Sequence, residues 1–188
     1  ADCGTGADCR VIPNQNTLCV ATYQGDLAPN FMALGATVTL IGPQGDRTIP
    51  LTEFYQLDGM KKNVLQPGEF MLKVTLPQDA YEYDGSYQKL RLRESWDFPE
   101  AGITAVWKKG DYSSLKIAST ALESIPKIHA EQVDEFVEKW EKGSTIPLLS
   151  EAIRRSVKPV NNTALPPNYR RSVVRVLAKR ALKNIGCE

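Results

Sequence analysis

The sequence is poor in the residue types on which several common functions depend. It has one histidine, His129, which leaves little material for metal sites and catalytic triads built around imidazole. No apolar run approaches the roughly 18 residues that cross a bilayer. The 23 Lys and Arg residues are balanced by 22 Asp and Glu residues, so no excess of positive charge is available for nucleic acid. We therefore expect no membrane span and no nucleic-acid partner.

The remaining composition is that of a globular protein. Hydrophobic residues make up 42% and charged residues 24% of the 188 positions, which suffices for one large or two small domains with a core. The sequence begins ADCGTGADCR, with no Met and no secretory signal, and it is already rich in Gly, Asp and Cys there. We expect the chain to be a fragment or a processed piece.

Three of the four cysteines, Cys3, Cys9 and Cys19, fall within 17 residues, and the fourth is Cys187. The early stretch is rich in Gly, Asn and Pro, so it lacks a core and needs a cross-link such as a disulfide, a zinc ion or an iron–sulfur cluster. The spacings C-x5-C and C-x9-C match neither zinc ribbons nor ferredoxins. An odd number of thiols disfavours disulfides alone, and unpaired structural thiols are a further alternative. These possibilities stay open on spacing, and Cys187 is expected to be an inert thiol.

The middle of the chain has the alternating pattern of β-strands. A short helix is predicted over 26–35, with Asp26 as its N-cap and Gly35 as its C-terminal stop. Strands follow without an alternating βαβ order, so we predict an α+β fold with an antiparallel sheet. The predicted strands are 36–42, 69–77, 86–95, 101–109 and 113–120.

After about residue 127 the pattern changes to that of amphipathic helices. Helices are predicted over 130–143, 146–157 and 168–184, with at most a short β-return near 157–163. We expect the arginines of the last helix to form a solvated face or a protein interface. The expected core positions of that helix are Tyr169, Val173, Val176, Leu177 and Leu182.

Three further residues have predicted places. Trp96 and Trp107 are large enough to stack on a ring-shaped ligand, but core packing is the preferred interpretation. His129 precedes an amphipathic helix and is expected at the surface or as a cap.

The stretch GDLAPNFMALGATVTLIGPQGDRTIPLTEFY resembles the flavoprotein (medium) subunit of the molybdenum hydroxylases, the family of xanthine dehydrogenase and carbon monoxide dehydrogenase. Members typically have a D-L-x-P helix, an A-x-V-x-L strand, a G-x-R turn and a P-L-x-x-F/Y segment. An L-x-P-G-E segment follows, matched by residues 65–77, and then a lysine-bearing strand, matched by YQKLRLRESWDFP. The last helix of the family's C-terminal domain is similar to the segment YRRSVVRVLAKRAL of this sequence. Many weak matches in the right order cover nearly all of residues 20–185.

One branch of this family, 4-hydroxybenzoyl-CoA reductase, has extra cysteines just before the D-L-x-P helix, in a loop that holds a 4Fe–4S cluster. The phrases CRVIP and GDLAP around Cys19 resemble the end of that loop. The resemblance implies that Cys3, Cys9 and Cys19 are the second, third and fourth metal ligands. The first ligand would lie upstream of Ala1.

The resemblance also implies an organisation and cofactor-binding residues. Residues 1–25 would be part of the iron–sulfur loop, 26–109 the second half of an FAD-binding domain, and 110–188 a helix-rich C-terminal domain of the carbon monoxide dehydrogenase flavoprotein type. Asp26 would accept hydrogen bonds from ribose or ribityl hydroxyls, and this role is compatible with an N-cap. Lys89 would place a cation near the isoalloxazine, which favours the anionic reduced ring. Met71 would present its backbone to the ring.

The function implied is that of an FAD-binding electron-transfer subunit in a molybdenum enzyme. Electrons would pass from a donor such as ferredoxin through the cluster and FAD to a small 2Fe–2S subunit and then to a large molybdopterin-binding subunit. No catalytic acid or base is expected in this chain. Because cluster-bearing thiols are kept in reducing compartments, the resemblance implies a cytoplasmic oxidoreductase. The alternatives are a xanthine or carbon monoxide dehydrogenase-type flavin subunit without the cluster, or a zinc-stapled interaction domain.

Overall fold

The computed structural model describes residues 9, 11–14, 18–94 and 96–187. These residues form an α+β fold, as predicted, with four α-helices and with antiparallel strands that are divided between two sheets. Cys3 lies outside the described residues. In the described part, no helix is long and apolar enough to cross a membrane.

The first sheet has three strands in the order β2-β1-β3. These are β1 (Thr37–Gly42), β2 (Gly45–Pro50) and β3 (Phe70–Thr75), and helix α1 (Leu27–Ala33) precedes them. Val38 and Leu40 of β1 are fully buried and pack in a core with Met32 of α1 and with Leu51 and Phe54. Since alternate residues of a strand share a face, the pattern of β1 alone predicts this burial.

The second sheet has four strands in the order β4-β5-β6-β7. They are β4 (Tyr83–Leu90), β5 (Ala101–Lys108), β6 (Asp111–Thr120) and β7 (Lys127–Ile128). Strand β5 is central and has both faces covered, which explains its almost continuous apolar sequence. One face contributes Ile103 and Trp107 to the main core, and the other places Val106 against Ala33 of α1.

Three helices cover the main core: α2 (Ala130–Val137), α3 (Thr145–Ser156) and α4 (Pro167–Asn184). Strands β5 and β6, which lie on either side of the expected boundary between 109 and 110, pair with each other and contribute to this same core. The described residues between α3 and α4 contain no strand.

The last helix has the predicted extent, but its buried stripe differs from the prediction. Leu177 and Leu182 are buried as expected, whereas the side chains of Tyr169 and Val176 are 51% and 41% exposed. Arg170 is fully buried instead of lying on a solvated face, because it hydrogen-bonds three backbone carbonyls. The stripe consists of Arg170, Val174, Leu177, Ala178, Ala181 and Leu182.

Four other expectations need correction. Strand β4 ends at Leu90, not at 95, because the Asp97 carboxylate accepts hydrogen bonds from the backbone N–H groups of Leu92 and Arg93 and closes a turn. Trp96 therefore sits on a loop and is 96% exposed, whereas Trp107 is in the core as predicted. Helix α2 ends at Val137 rather than near 143. His129 occupies the N-cap position of α2, one of the two expected places, but it is completely buried and its side chain makes no capping hydrogen bond.

Candidate functional site

The Asp26 carboxylate lies between two side chains of β4. Asp26 occupies the N-cap position of α1, but its side chain makes no capping hydrogen bond. Instead, Oδ1 accepts a hydrogen bond of 2.6 Å from Tyr87 Oη, and Oδ2 accepts one of 2.9 Å from Lys89 Nζ. Tyr87 and Lys89 are two residues apart on one strand, so they share a face of the sheet. The structure thus brings together two of the residues predicted to contact FAD, and the third member of this cluster is Tyr87.

A glycine on the neighbouring strand leaves room for this cluster. Gly102 of β5 pairs directly with Lys89. A Cβ atom at position 102 would lie 2.7 Å from Tyr87 Oη and 2.7 Å from Thr120 Cγ2. Real Cβ atoms essentially never come that close to another heavy atom. The phenol of Tyr87 can cross the strand to Asp26 only because position 102 has no side chain.

Tyr23 lies near Asp26, and Tyr55 contacts Tyr23. The rings of Tyr23 and Tyr55 have centroids 5.0 Å apart in an edge-on arrangement, and their hydroxyls are 3.3 Å apart. Burial is the main cause that raises the pKa of both tyrosines. Their mutual hydrogen bond lowers the pKa of Tyr23 and raises that of Tyr55, and the negative charge of Asp26 further raises the pKa of Tyr23. Burial, followed by the hydrogen bond to Asp26, raises the pKa of Tyr87. The three phenols are therefore protonated hydrogen-bond donors at neutral pH.

Backbone contacts fix the segment that carries Asp26. Tyr23 N–H donates to the carbonyl of Glu123 at 3.0 Å, and Ala121 N–H donates to the carbonyl of Tyr23 at 3.0 Å. Thr120 Oγ1 donates to the carbonyl of Gly25 at 2.8 Å. The residues just before α1 are thus held against the end of β6, which positions the carboxylate over β4.

The cluster retains free hydrogen-bonding capacity. A carboxylate has about four acceptor positions, and Tyr87 and Lys89 occupy two of those on Asp26. The Asp26 side chain is 40% exposed and the Lys89 side chain 19%. A ligand hydroxyl can therefore reach the Asp26 carboxylate. An acceptor carboxylate next to the donor Lys89 suits the ribose or ribityl hydroxyls of a flavin nucleotide, which both donate and accept hydrogen bonds.

Met71, the third residue predicted to contact FAD, lies in the other sheet. It pairs with Leu40 across β1 and β3, and no hydrogen bond or ion pair within the described part of the chain joins it to Asp26 or Lys89. The register shifts between Thr39 and Leu40, so Leu72 is an extra residue in β3. Such bulges redirect side chains and are frequent near functional sites.

Three of the four cysteines lie among the described residues. Cys9, Cys19 and Cys187 are free thiols. Cys9 Sγ accepts a contact of 3.5 Å from Ile12 N–H, and Cys19 N–H donates to Asp58 Oδ1 at 3.1 Å. Among the residues with described positions, no group of three or more His, Cys, Asp or Glu side chains is arranged to hold a metal ion. Cys187 is buried, which raises the pKa of its thiol to about 12, in keeping with an inert role.

Sequence reasoning missed the three tyrosines of the site. The alternation of β4 shows that Tyr87 and Lys89 share a face, but Asp26 is 61 positions from Tyr87 along the chain. Gly102 points to the space that Tyr87 occupies only when the pairing of β4 with β5 is known. A separate cavity of about 830 Å³, lined in part by Arg47, Lys61 and Lys62, does not include this cluster.

Comparison with known proteins gives three kinds of match. Residues 17–79 match the family described as the FAD binding domain in molybdopterin dehydrogenase. Over 94 residues, 47% of this chain and 29% of the relative, the chain is 35% identical to the aldehyde oxidoreductase FAD-binding subunit PaoB of Escherichia coli. Over 84% of this chain and 54% of the relative, it is 24% identical to the carbon monoxide dehydrogenase medium chain of Afipia carboxidovorans.

Solved structures share the fold. A chain of carbon monoxide dehydrogenase from Hydrogenophaga pseudoflava superposes with a TM-score of 0.77 at 23% identity, over 87% of this chain and 56% of that one. A chain of quinoline 2-oxidoreductase from Pseudomonas putida gives 0.74 at 19% identity, over 89% and 57%. The protein thus has the fold of the matching part of these enzymes, and it spans about half or less of the length of the relatives above.

Proposed function

We propose that this protein is part of the FAD-binding subunit of a molybdenum oxidoreductase of the carbon monoxide and xanthine dehydrogenase type. The observation that carries the proposal is the Asp26 carboxylate, which is fixed by Tyr87 and Lys89 and still open to a ligand. It lies in the segment that matches an FAD-binding domain family. When bound, FAD would interconvert two-electron and one-electron transfer.

Each residue of the cluster has a defined task in this proposal. Asp26 accepts hydrogen bonds from flavin-nucleotide hydroxyls, and Tyr87 holds its carboxylate in place at 2.6 Å. Lys89 balances the charge of Asp26 and keeps unused N–H groups that can face the ligand. Met71 contributes backbone contacts from the bulged strand β3. No residue of this chain is assigned to proton transfer on a substrate.

The proposed partners follow from the relatives, which are named as subunits or chains of larger enzymes. We expect a large molybdopterin-binding subunit and a small 2Fe–2S subunit in the same complex. Ferredoxin as the electron donor and a cytoplasmic location are proposed on the sequence resemblance.

The test is the FAD content of the full-length gene product. Asp26→Ala removes a charged hydrogen-bond acceptor, which contributes about 1.5–3 kcal/mol, so FAD affinity should fall roughly 10- to 150-fold. Asp46→Ala is the matched control, because Asp46 is exposed on β2 and should leave FAD binding unchanged. FAD is measured by its visible absorbance after gel filtration, and thermal unfolding confirms that both variants fold. A folded Asp26→Ala protein with the FAD affinity of the unsubstituted protein contradicts the proposal.

The assignment to 4-hydroxybenzoyl-CoA reduction with a 4Fe–4S cluster is a separate and narrower hypothesis. Its support is the spacing of Cys3, Cys9 and Cys19 and the residues around them. The described cysteines do not by themselves form a metal site, so no electron-transfer step is derived through a cluster. Analysis of iron and acid-labile sulfide in the anaerobically purified full-length protein tests this hypothesis. It requires about four of each per chain. An iron-free protein that retains FAD leaves only the xanthine or carbon monoxide dehydrogenase-type alternative.

A further inference from the structure

A groove lined by positive charge runs between α3 and α4. A cavity of about 560 Å³ is lined by Pro147 and Ser150 of α3 and by Arg175, Val176, Lys179, Arg180 and Lys183 of α4. A second cavity of about 270 Å³ shares Pro147, Lys179 and Lys183 with it and continues it to Lys142. We refer to the two together as the basic groove.

The cations on the α4 side of the basic groove are not neutralised by ion pairs with other described residues. Helix α4 contains six Lys and Arg residues and no Asp or Glu, although the whole chain has a net charge of only +1. Arg175, Lys179 and Lys183 follow one another at intervals of four, so they lie on one side of the helix. None of them forms an ion pair or a side-chain hydrogen bond with another described residue. Like charges at this spacing destabilise a helix, so the arrangement does not serve the stability of this fold.

The floor of the basic groove combines an unsatisfied donor with apolar surface. Ser150 is fully buried, and its hydroxyl has no hydrogen-bond partner among the described residues. Buried hydroxyls are nearly always hydrogen-bonded, so an unpaired one that lines a cavity points to a missing acceptor. Val176, which was expected in the core, is 41% exposed in this groove, and Pro147 is exposed beside it.

We propose that the basic groove is the docking surface for an acidic amphipathic helix of a partner protein. Residues four apart on a helix are about 6 Å apart along its axis. A partner helix with carboxylates every four residues therefore has the same spacing as Arg175, Lys179 and Lys183. The apolar residues beside those carboxylates would cover Val176 and Pro147, as in other helix-in-groove complexes.

The construction of the basic groove favours a protein segment over a phosphate group. Most of its wall is formed by the sides of α3 and α4, whose backbone N–H groups are used within the helices, and only the end at Lys142, Gly143 and Ile146 reaches the first turn of α3. The cations are spread along the length of α4 instead of converging on one point. A phosphate oxygen can accept a hydrogen bond from Ser150, but a phosphate would leave the exposed apolar surface of Val176 and Pro147 uncovered.

The test is the binding of a designed peptide to the full chain. The probe is a fluorescein-labelled helical peptide with Glu at every fourth position and Leu on the adjoining stripe, followed by fluorescence anisotropy at low salt. The triple variant Arg175→Gln, Lys179→Gln and Lys183→Gln should bind at least tenfold more weakly. The control triple variant Lys61→Gln, Lys62→Gln and Lys73→Gln removes the same charge from exposed residues elsewhere and should bind within twofold of the unsubstituted chain.

Three outcomes would overturn the proposal. The peptide does not bind the unsubstituted chain, or it binds both triple variants equally, which would reflect net charge alone. In the third, the same three residues are needed for binding tripolyphosphate or phosphatidylglycerol vesicles while the peptide has no measurable affinity. Binding of the peptide that weakens as salt rises from 50 to 300 mM, as expected for screened charge pairs, and that is lost selectively in the α4 variant supports it.

Discussion

At the scale of single residues, His129 is the clearest departure from expectation. It is buried between the hydroxyls of Ser119 and Ser156, with Nε2 at 2.9 Å from the first and Nδ1 at 3.0 Å from the second. The Ser156 hydroxyl donates its proton to the carbonyl of Ile153, so Nδ1–H must donate to Ser156, and Nε2 must accept from Ser119. This is a neutral imidazole with both nitrogens satisfied. Burial first, then the charge of Lys127, lowers the pKa of His129 to about 3.

The stability of the protein should therefore depend on pH in a window set by His129. The unfolded imidazole has a pKa of about 6.5, so below that value the unfolded state binds more protons than the folded state. The free energy of unfolding is at its full value above pH 6.5 and should fall by up to about 1.4 kcal/mol per pH unit towards pH 3. Urea unfolding at pH 7.5, 6.0 and 5.0 measures this effect.

A His129→Gln variant is the control for that measurement. Glutamine does not titrate, so its unfolding free energy should be flat between pH 6.5 and 5. The carboxyl groups whose pKa is lowered to about 2 by arginine partners, Glu69, Asp97 and Glu151, lose their contribution only at lower pH, below about 4.5. Equal slopes in the two proteins would mean that His129 is not buried as a neutral ring.

Gly102 should be intolerant of even one added methyl group. In Gly102→Ala the new Cβ meets Tyr87 Oη and Thr120 Cγ2 at 2.7 Å, so either Tyr87 must leave Asp26 or the strands must separate. We expect a loss of about 1–3 kcal/mol in the free energy of unfolding, typical of overpacking. Gly85→Ala is the matched control in the same sheet, since its Cβ would meet Val106 at an ordinary 3.4 Å. Chemical denaturation compares the two, and equal stabilities would refute the packing argument.

At the scale of elements, Arg170 connects α4 to both ends of the central hairpin. Its guanidinium donates to the carbonyls of Glu100, Val160 and Ala121, and the Glu100 carboxylate accepts hydrogen bonds from the segment just before α4, including one of 2.7 Å from Thr163 Oγ1. The charged groups of Arg170 and Glu100 are 3.9 Å apart and almost fully buried. Because Ala121 also binds the backbone of Tyr23, this contact helps to position the Asp26 segment.

Replacing Arg170 should therefore destabilise the fold strongly. Arg170→Met leaves the Glu100 carboxylate without a counter-charge and removes the guanidinium donor from three carbonyls, of which only that of Val160 keeps another donor, Asn162 N–H. Breaking such a buried pair costs about 3–5 kcal/mol. Arg175→Met makes the same substitution at an exposed position of the same helix and should change stability by less than about 0.5 kcal/mol. The comparison uses the midpoints of urea unfolding, and similar midpoints would show that Arg170 is dispensable.

The elements themselves were largely predictable from local pattern. The alternation in β1, the almost continuous apolar run of β5 and the helical period of α4 identify these elements and place them within a few residues. Local pattern did not show that Arg170 is buried, since its acceptors come from three distant segments. The early end of β4 and the exposure of Trp96 depend on how Asp97 folds back on the chain, which composition does not reveal.

At the scale of the whole molecule, α1 links the two sheets. Met32 packs in the core of the three-stranded sheet, and Ala33 packs against Val106 and Ala118 of the four-stranded sheet. Asp26 stands at the start of this helix, so the packing of both sheets fixes its carboxylate. The sequence resemblance singled out Asp26 and Lys89 separately. Their ion pair, and the role of Tyr87 within it, follow only from the three-dimensional fold.

The central claim is that the Asp26 carboxylate receives the hydroxyls of FAD. A crystal structure of the FAD-loaded full-length protein tests it most directly. The account predicts an FAD hydroxyl oxygen within about 3.0 Å of an Asp26 carboxylate oxygen, with the Tyr87 and Lys89 contacts retained. FAD bound at a distance, with Asp26 still contacted only by Tyr87 and Lys89, would contradict it.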